Sequence, residues 1–392
     1  MRVALVIERM DPSRGGRETS TGQIAAELVR RGCEVTILCQ SGSLPGAGLS
    51  IRAVGSRGAT RVGRMRNFVR AVQGQTGGGA FDIVHAMLPL PGANIYQPRG
   101  GTVPAQEEAS LRRREGGRRL AATLTGPFNL HRRESLRLER QIAADERVLC
   151  LCVSRMVADE FRRFYGRIHG VRVIYNGVDV PKSAPVLREQ ARRQLRGQLG
   201  AGDDPVFVSI ANNLALKGAA EAIEAFGLWM HKGGSSGHSR RMRAQLVFVG
   251  KRQYGDTFHR RVQALGLGSH VKFVPHTDDI FPWYAAADAV VLLSWYDPCS
   301  RVVLEATRLG IPSITTAFNG ASEVLADGAG LVVRSPADVR AVAAAMAELA
   351  DPAARARRAQ ACAKVAGQLT IQRHVDELIK AYQDVAKRNR NE

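Results

Sequence analysis

The chain has 392 residues, of which 45% are hydrophobic, so it is long enough for two domains that each bury a core. Its net charge of +20 favours phosphorylated ligands, anionic membranes or nucleic acid as partners. No run of about 18 apolar residues is present, which excludes a conventional membrane-spanning helix. The six cysteines are scattered without the spacing of a zinc site or a disulfide framework. The first ten residues, MRVALVIERM, predict a buried strand rather than a signal peptide, so we expect a cytoplasmic protein.

In both halves of the chain, predicted strands alternate with loops and helices. This alternation predicts two doubly wound, parallel α/β sheets. The predicted strands of the first half are Arg2–Ile7, Glu34–Cys39, Phe81–His85, Val148–Val153 and Val171–Tyr175, with helices at Thr21–Arg31 and Ser154–Tyr165. Those of the second half are Val206–Ile210, Ala244–Val249, Val271–Val274, Ala289–Leu293, Ser313–Thr316 and Leu331–Val333. We therefore predict Rossmann-like domains over 1–180 and 181–370 that face each other across a ligand cleft. A final helix, 371–392, is expected to pack back toward the first domain.

A basic segment lies between Leu111 and Gln141, where nine Arg stand against three Glu among interspersed Leu, Phe and Ala. Such a helix can lie on an anionic lipid surface. The alternative is a solvated helix face without a lipid partner. Nucleic acid is not expected, because no aromatic stacking motif accompanies the arginines.

Two carboxylates, Asp297 and Glu305, stand eight residues apart across a predicted strand, loop and helix. In parallel sheets, ligands bind outside the carboxyl ends of the strands, where helix N-termini offer free N–H groups to phosphate. One carboxylate could hold ribose hydroxyls while the other holds a sugar. Alternatively, Asp297 only caps the helix and Glu305 pairs with a nearby Arg.

An ordered set of motifs resembles the family 4 glycosyltransferases of the GT-B fold over nearly the whole chain. The set is Gly15-Gly16, Ser154, NGVD at 176–179, Lys217-Gly218, VGKR at 249–252, and Asp297 to Glu305. Within the family, YDPCSRVVLEA followed by GIPSITTAFNGASE is most similar to bacterial lipopolysaccharide core glycosyltransferases, particularly those of the glucosyltransferase I type.

The resemblance implies a donor site in the second domain. Glu305 matches the glutamate that binds the ribose, and Asp297 stands where the family usually has a glutamate that contacts the donor sugar. Lys217 matches the lysine that neutralises the leaving diphosphate. The family's arginine just upstream is absent, so Arg252 either replaces it or is a surface residue. Backbone N–H groups between Pro298 and Arg301, which include that of Ser300, are expected to meet the diphosphate, although Pro298 could simply form a turn.

Further positions have two interpretations each. Gly15 and Gly16 either let the backbone approach phosphate or acceptor, or form an ordinary flexible loop. His85 matches the family's histidine that contacts the donor sugar, or is structural. Asn319 either contacts the donor or shapes its loop.

The resemblance further implies a retaining hexosyltransferase that uses no metal, and the adjacent pairs Asp203-Asp204 and Asp278-Asp279 are expected in surface turns. We expect a nucleotide-sugar donor, UDP-linked, as co-substrate and no other cofactor. The expected acceptor is a lipopolysaccharide core or other glycolipid at the inner face of the cytoplasmic membrane. The alternatives are a soluble family member with a small or polysaccharide acceptor, and a non-catalytic basic binding protein on this fold.

Overall fold

The structure, a computed structural model, describes residues 1–11, 15–42, 49–114, 121, 123, 126–180, 185–231, 243–251 and 256–391. The chain divides into two compact units. One unit comprises Met1–Gly177 with Thr370–Glu392, and the other Val178–Leu369. None of the helices within the described ranges is long and apolar enough to cross a membrane.

The first unit is built on a parallel sheet flanked by helices. Its strands are β1 (Arg2–Val6), β2 (Arg9–Met10), β3 (Glu34–Cys39), β4 (Ser41–Gly42), β5 (Ser50–Ala53), β6 (Ile83–Ala86), β7 (Ile95–Tyr96), β8 (Leu149–Cys152) and β9 (Val171–Val173). Its first helices are α1 (Gly16–Arg30), α2 (Arg61–Thr76), α3 (Val103–Arg112), α4 (Leu130–Ala144) and α5 (Arg155–Tyr165). The sheet order is β5-β3-β1-β6-β7-β8-β9, and β2 pairs separately with β4.

The second unit repeats this plan. Its strands are β10 (Val206–Ile210), β11 (Gln245–Val249), β12 (Val271–Val274), β13 (Ala289–Leu292), β14 (Ser313–Thr316) and β15 (Gly330–Val333). Its helices are α6 (Pro185–Leu199), α7 (Ala219–His231), α8 (Thr257–Ala264), α9 (Phe281–Ala286), α10 (Arg301–Arg308), α11 (Val339–Ala350) and α12 (Pro352–Ala366). The sheet order is β12-β11-β10-β13-β14-β15, and all pairs are parallel.

Both sheets are doubly wound, which confirms the predicted fold class. In each, the strand order reverses beside the first strand, between β1 and β6 and between β10 and β13. The central strands are continuous apolar runs because helices cover both faces of a parallel sheet, as in RVALV of β1 and VFVSI of β10. Such reversal points leave a crevice at the carboxyl ends of the strands.

The last helix, α13 (Ile371–Asn391), completes the core of the first unit. Its buried apolar residues lie on one side of the helix, as expected of a helix with one apolar face. They are Ile371, Val375, Leu378, Ala381, Tyr382 and Val385. They share one apolar cluster with Val3 and Leu5 of β1 and Ile37 of β3.

Two buried histidine side chains connect α13 to the rest of the first unit, His85 from β6 and His374 from α13 itself. His85 Nδ1 is 2.7 Å from the Tyr382 hydroxyl, and His374 Nδ1 is 2.8 Å from the Tyr175 carbonyl oxygen. Burial, followed by the positive charge of Arg99, lowers the pKa of each histidine to about 3. Both rings are therefore neutral at physiological pH.

The NGVD motif and Ser154 are explained by packing within their units. Asn176 Oδ1 accepts a hydrogen bond of 3.0 Å from Arg99, and the Val178 amide donates to the Leu369 carbonyl at 2.9 Å. Gly177 lies so close to α13 that a Cβ there would be 2.4 Å from the Thr370 carbonyl oxygen. Ser154 is the N-cap of α5. Its hydroxyl accepts a hydrogen bond of 3.3 Å from the backbone amide of Val157, the third residue of the helix.

We predict that Gly177→Ala destabilises the protein, because the added methyl group has no space against the backbone of residues 370 and 371. The expected loss is about 1–3 kcal/mol in the free energy of unfolding, measured by urea denaturation. Gly197→Ala in α6 is the control, since nothing lies within 4 Å of its Cβ position. That substitution should be neutral or stabilising by about 0.5–1 kcal/mol. Equal effects of the two substitutions would contradict the close approach at Gly177.

We also predict an acid-sensitive first unit. The folded pKa of His85 and His374 lies below the ordinary value of 6.5, so between about pH 3 and 6.5 the unfolded chain binds more protons than the folded one. Stability must then fall as the pH falls through this window, by about 2 kcal/mol per histidine between pH 7 and pH 5. Urea unfolding at the two pH values should show a smaller pH dependence in His374→Gln. The exposed His169→Gln is the control, and an unchanged pH dependence in His374→Gln would contradict the prediction.

Candidate active site

The candidate site lies in the second unit, at the carboxyl ends of the neighbouring strands β10 and β13. The loop after β10 carries Lys217, and the loop after β13 carries Asp297. The Trp295 amide donates to the Leu216 carbonyl at 3.0 Å, which joins the two loops. Gly218 has φ of +67°, and a Cβ there would lie 2.3 Å from the Leu293 carbonyl oxygen. Only glycine permits this approach, which places Lys217 beside the β13 loop.

Lys217 and Asp297 form an ion pair between Nζ and Oδ2, although they are 80 residues apart in the sequence. Their side chains are 19% and 15% exposed, so the pair is largely but not fully removed from water. Asp297 Oδ1 also accepts a hydrogen bond of 3.2 Å from the Cys299 amide. The site thus holds a cation and a carboxylate that neutralise each other.

Asn319 connects a third loop, the one after β14, to this pair. Its backbone forms an isolated parallel bridge with Asp297. The Asp297 amide donates to the Phe318 carbonyl oxygen at 2.9 Å, and the Gly320 amide donates to the Asp297 carbonyl oxygen at 2.8 Å. The Asn319 side chain is wholly buried. Its Oδ1 accepts from the amides of Ser300 and Ala321, each at 3.1 Å, and its Nδ2 donates to the Thr315 hydroxyl at 3.0 Å. These contacts shape the loop, which is the second of the two interpretations of this residue.

The start of α10 faces the same loops. Ser300 occupies the N-cap position, and its hydroxyl does not cap the helix. The amides of Cys299 and Ser300 donate to the side-chain oxygens of Asp297 and Asn319, so in this structure these two donors form hydrogen bonds within the loops. The positive end of the α10 dipole and the amides that begin with Arg301 are what this helix presents to an anion.

Glu305 lies one turn further along α10 and is buried. Its Oε1 accepts from Arg301 Nη2 at 3.0 Å, and its Oε2 accepts from the Tyr284 hydroxyl at 2.8 Å. The alternative in which Glu305 pairs with a nearby Arg is therefore observed, with Arg301 four residues earlier on the same helix. Tyr284 was not among the predicted site residues, because nothing in the local sequence of α9 indicates a partner 21 residues away.

Three predicted site residues belong to the first unit. Gly15 is the N-cap of α1 with φ of 155°, a backbone conformation that side chains rarely adopt, and its carbonyl accepts from the amide and hydroxyl of Thr19 at 3.2 and 3.1 Å. Gly16 is the first residue of α1. His85 is wholly buried within β6, so the structure places its ring in the core against Tyr382. A sugar contact by His85 stays a prediction.

The VGKR motif at 249–252 is only partly described by the structure. Arg252 lies outside the described residues, as do Arg118 and Arg119 of the basic segment. In the same VGKR motif, Gly250 has φ of +151°, and a Cβ there would lie 2.0 Å from the Ala211 carbonyl oxygen, which brings the loop after β11 against the loop after β10. In the part of the chain that the structure describes, no group of three His, Cys, Asp or Glu side chains could hold a metal ion.

Comparison with known proteins gives two family matches. Residues 14–182 match Glycosyltransferase Family 4, and residues 191–366 match Glycosyl transferases group 1. Together the two matches cover both units, apart from short stretches at the ends and between them.

Two individual relatives share less than a third of their aligned residues with the chain. A GDP-mannose-dependent alpha-(1-6)-phosphatidylinositol monomannoside mannosyltransferase of Mycolicibacterium smegmatis is 29% identical over 64% of this chain and 66% of its own length. The lipopolysaccharide glucosyltransferase WaaG of Escherichia coli K12 is 23% identical over 82% of each chain.

Solved structures agree in fold. The crystal structure of WaaG, a glycosyltransferase involved in lipopolysaccharide biosynthesis, superposes with a TM-score of 0.78 at 20% identity and covers 98% of this chain and 99% of WaaG. Anabaena HepE in complex with UDP and glucose gives a TM-score of 0.70 at 19% identity and covers 98% and 100%. The chain has two doubly wound sheets, a lysine and two carboxylates at a strand-order reversal, and family matches across both units. It therefore belongs to the group 1 and family 4 glycosyltransferases and is a glycosyltransferase of the GT-B fold.

Proposed function

We propose that the protein is a retaining hexosyltransferase that moves a sugar from a nucleoside-diphosphate donor to a glycolipid acceptor such as a lipopolysaccharide core. The observation that carries the proposal is the ion pair of Lys217 with Asp297 beside the start of α10, with Glu305 one turn further on. This arrangement offers a cation and a helix N-terminus for the diphosphate, and two carboxylates at different distances from it.

In this proposal each group has one duty. Glu305 binds the ribose, and Lys217 with the start of α10 binds the diphosphate. The incoming diphosphate competes with Asp297 for Lys217, and the Asp297 carboxylate then accepts hydrogen bonds from the donor sugar's hydroxyls. Asp297 is one methylene shorter than glutamate, so the sugar must approach the β13 loop closely or bind through a water.

The proposed reaction needs no protein base. The bond from C1 of the sugar to the diphosphate oxygen breaks, and its electron pair stays on that oxygen. The acceptor oxygen forms its bond to C1 on the same face, and its proton passes to the leaving diphosphate. Both carboxylates of the site are held by cations, Asp297 by Lys217 and Glu305 by Arg301, which favours binding roles over a covalent sugar ester. Lys217 stabilises the charge that develops on the diphosphate.

The donor is proposed to be UDP-linked, with glucose as its sugar. HepE was solved with UDP and glucose, and WaaG is named a glucosyltransferase, which supports this choice. The mycobacterial relative is instead named as GDP-mannose-dependent. A panel of UDP- and GDP-sugars, tested by thermal shift, decides between the two nucleotides.

We predict that Lys217→Ala and Glu305→Ala each lower kcat/KM for the donor strongly. Lys217→Ala removes the cation that stabilises the leaving diphosphate and should lower kcat by about 100-fold or more. Glu305→Ala should chiefly raise the KM for the donor. The measurement is nucleotide release from the donor that the panel selects, with and without acceptor. Lys272→Ala, an exposed lysine on β12, is the control. Full activity in both site variants would refute the site, and a protein without any transfer or donor hydrolysis would favour the non-catalytic alternative.

A glycolipid acceptor is favoured over a small or polymeric one by the surface of the basic segment. Phe128 and Leu130 are 81% and 63% exposed, which is unusual for large apolar side chains that stand together. Exposed arginines lie in the same segment, namely Arg112, Arg114, Arg133, Arg137 and Arg140. Apolar side chains that enter the lipid and arginines that attract anionic headgroups are the two components of an interfacial membrane contact.

We predict that the protein sediments with vesicles that contain phosphatidylglycerol and not with pure phosphatidylcholine vesicles. Arg133→Gln with Arg140→Gln should weaken binding about tenfold or more, since each basic residue adds about 1 kcal/mol near the surface. Phe128→Ser with Leu130→Ser should weaken it through lost apolar burial. The charge-matched control is Arg260→Gln with Arg357→Gln, two exposed arginines of the second unit. If this control loses binding equally, the contact is only general charge attraction, and the soluble alternative stands.

A further inference from the structure

Tyr284 has a buried hydroxyl whose presence packing alone does not explain. The residue is 2% exposed and belongs to an apolar cluster that includes Val208, Val290 and Ile311. A phenylalanine ring would fill the same space, and burying a hydroxyl costs free energy unless it is hydrogen-bonded. The bond that compensates this cost is the 2.8 Å contact to Glu305 Oε2.

The two oxygens of Glu305 are held from two different helices. Tyr284 on α9 donates to Oε2, and Arg301 on α10 donates to Oε1 at 3.0 Å. A carboxylate has about four lone-pair positions, two on each oxygen. One position on each oxygen therefore remains for a ligand beside these two contacts, which is the number that two neighbouring hydroxyl groups can fill. The 2′ and 3′ hydroxyls of a ribose are such a pair.

The hydroxyl of Tyr284 is a permanent donor. Burial, followed by the negative charge of Glu305, raises the pKa of Tyr284 well above its ordinary value. The phenol is therefore protonated at neutral pH. Because donors from two helices fix the carboxylate, Glu305 loses little rotational freedom when it binds a ligand.

We infer that Tyr284 is a positioning residue of the donor site, whose hydroxyl, with Arg301, fixes the Glu305 carboxylate in the orientation that receives the ribose 2′ and 3′ hydroxyls. The inference rests on the proposed function, in which Glu305 binds the ribose. It adds a residue outside the carboxylate motif, and it assigns that residue to nucleotide affinity rather than to the chemical step.

The test is Tyr284→Phe, which removes one oxygen and keeps the ring. Calorimetry with UDP, or GDP if the donor panel selects it, should show affinity about five- to tenfold weaker than wild type, which corresponds to the net contribution of one ordinary hydrogen bond. The donor KM should rise by a similar factor, while kcat stays within about twofold. With the 2′,3′-dideoxy nucleotide, wild type and variant should bind equally, because the hydroxyls that Glu305 holds are gone. An equal loss with both nucleotides would mean a general disturbance of the fold, and no loss with either would mean that the hydroxyl is irrelevant. Either result overturns the inference.

Two controls separate this inference from the proposed function. Tyr96→Phe removes a matched hydroxyl, since Tyr96 is also buried and donates to a buried carboxylate, Glu139, at 2.6 Å in the first unit. It should leave nucleotide affinity unchanged even if it lowers the melting temperature. Glu305→Ala should abolish the preference for the ribonucleotide over the dideoxynucleotide. If that preference survives, the ribose assignment falls and the inference with it. If Glu305→Ala abolishes the preference and Tyr284→Phe does not, the proposed function stands and only the role of Tyr284 is wrong.

Discussion

The contact between the loops after β10 and β13 is the constraint on which the site of the second unit depends. The two strands are neighbours in the sheet, and the chain turns to opposite sides beyond them, so their carboxyl ends open a crevice. Gly218 packs against Leu293 and thereby brings Lys217 to Asp297. A single Cβ at position 218 would separate the loops and leave a largely buried carboxylate without its cation, which is costly in a protein interior.

A third strand makes this junction rigid. The Asn319 side chain holds the amides of Ser300 and Ala321, and its backbone is bridged to Asp297. The loops after β10, β13 and β14 are thus joined by hydrogen bonds within the protein before any ligand arrives. Preorganised groups do not have to be ordered when charge develops on a bound diphosphate, which is the condition under which a lysine stabilises it best.

The features that could be predicted from the sequence are those that depend on neighbours along the chain. β1, β10 and β13 are apolar runs because both faces of a parallel sheet are covered, so their prediction succeeded. β5 lies at the sheet edge with mostly exposed residues, and β7 has two residues, so neither carries a recognisable pattern. Asp297 and Glu305 could be found because one strand–loop–helix unit contains both. The bonds of Tyr284 to Glu305 and of Tyr382 to His85 join distant segments, 21 and 297 residues apart, and no local pattern encodes them.

The aspartate at position 297 is consistent with a site that neutralises itself. Its short side chain keeps one oxygen within reach of the Cys299 amide and the other on Lys217. A glutamate would carry its carboxylate one methylene further from the loop and could not keep both contacts without moving the backbone that Asn319 holds. Lys217 and Asp297 are already partly removed from water. Under the proposed function, a diphosphate would exchange one anionic partner of Lys217 for another with little new desolvation of the lysine, and the stronger attraction of an anion with more than one charge would favour that exchange.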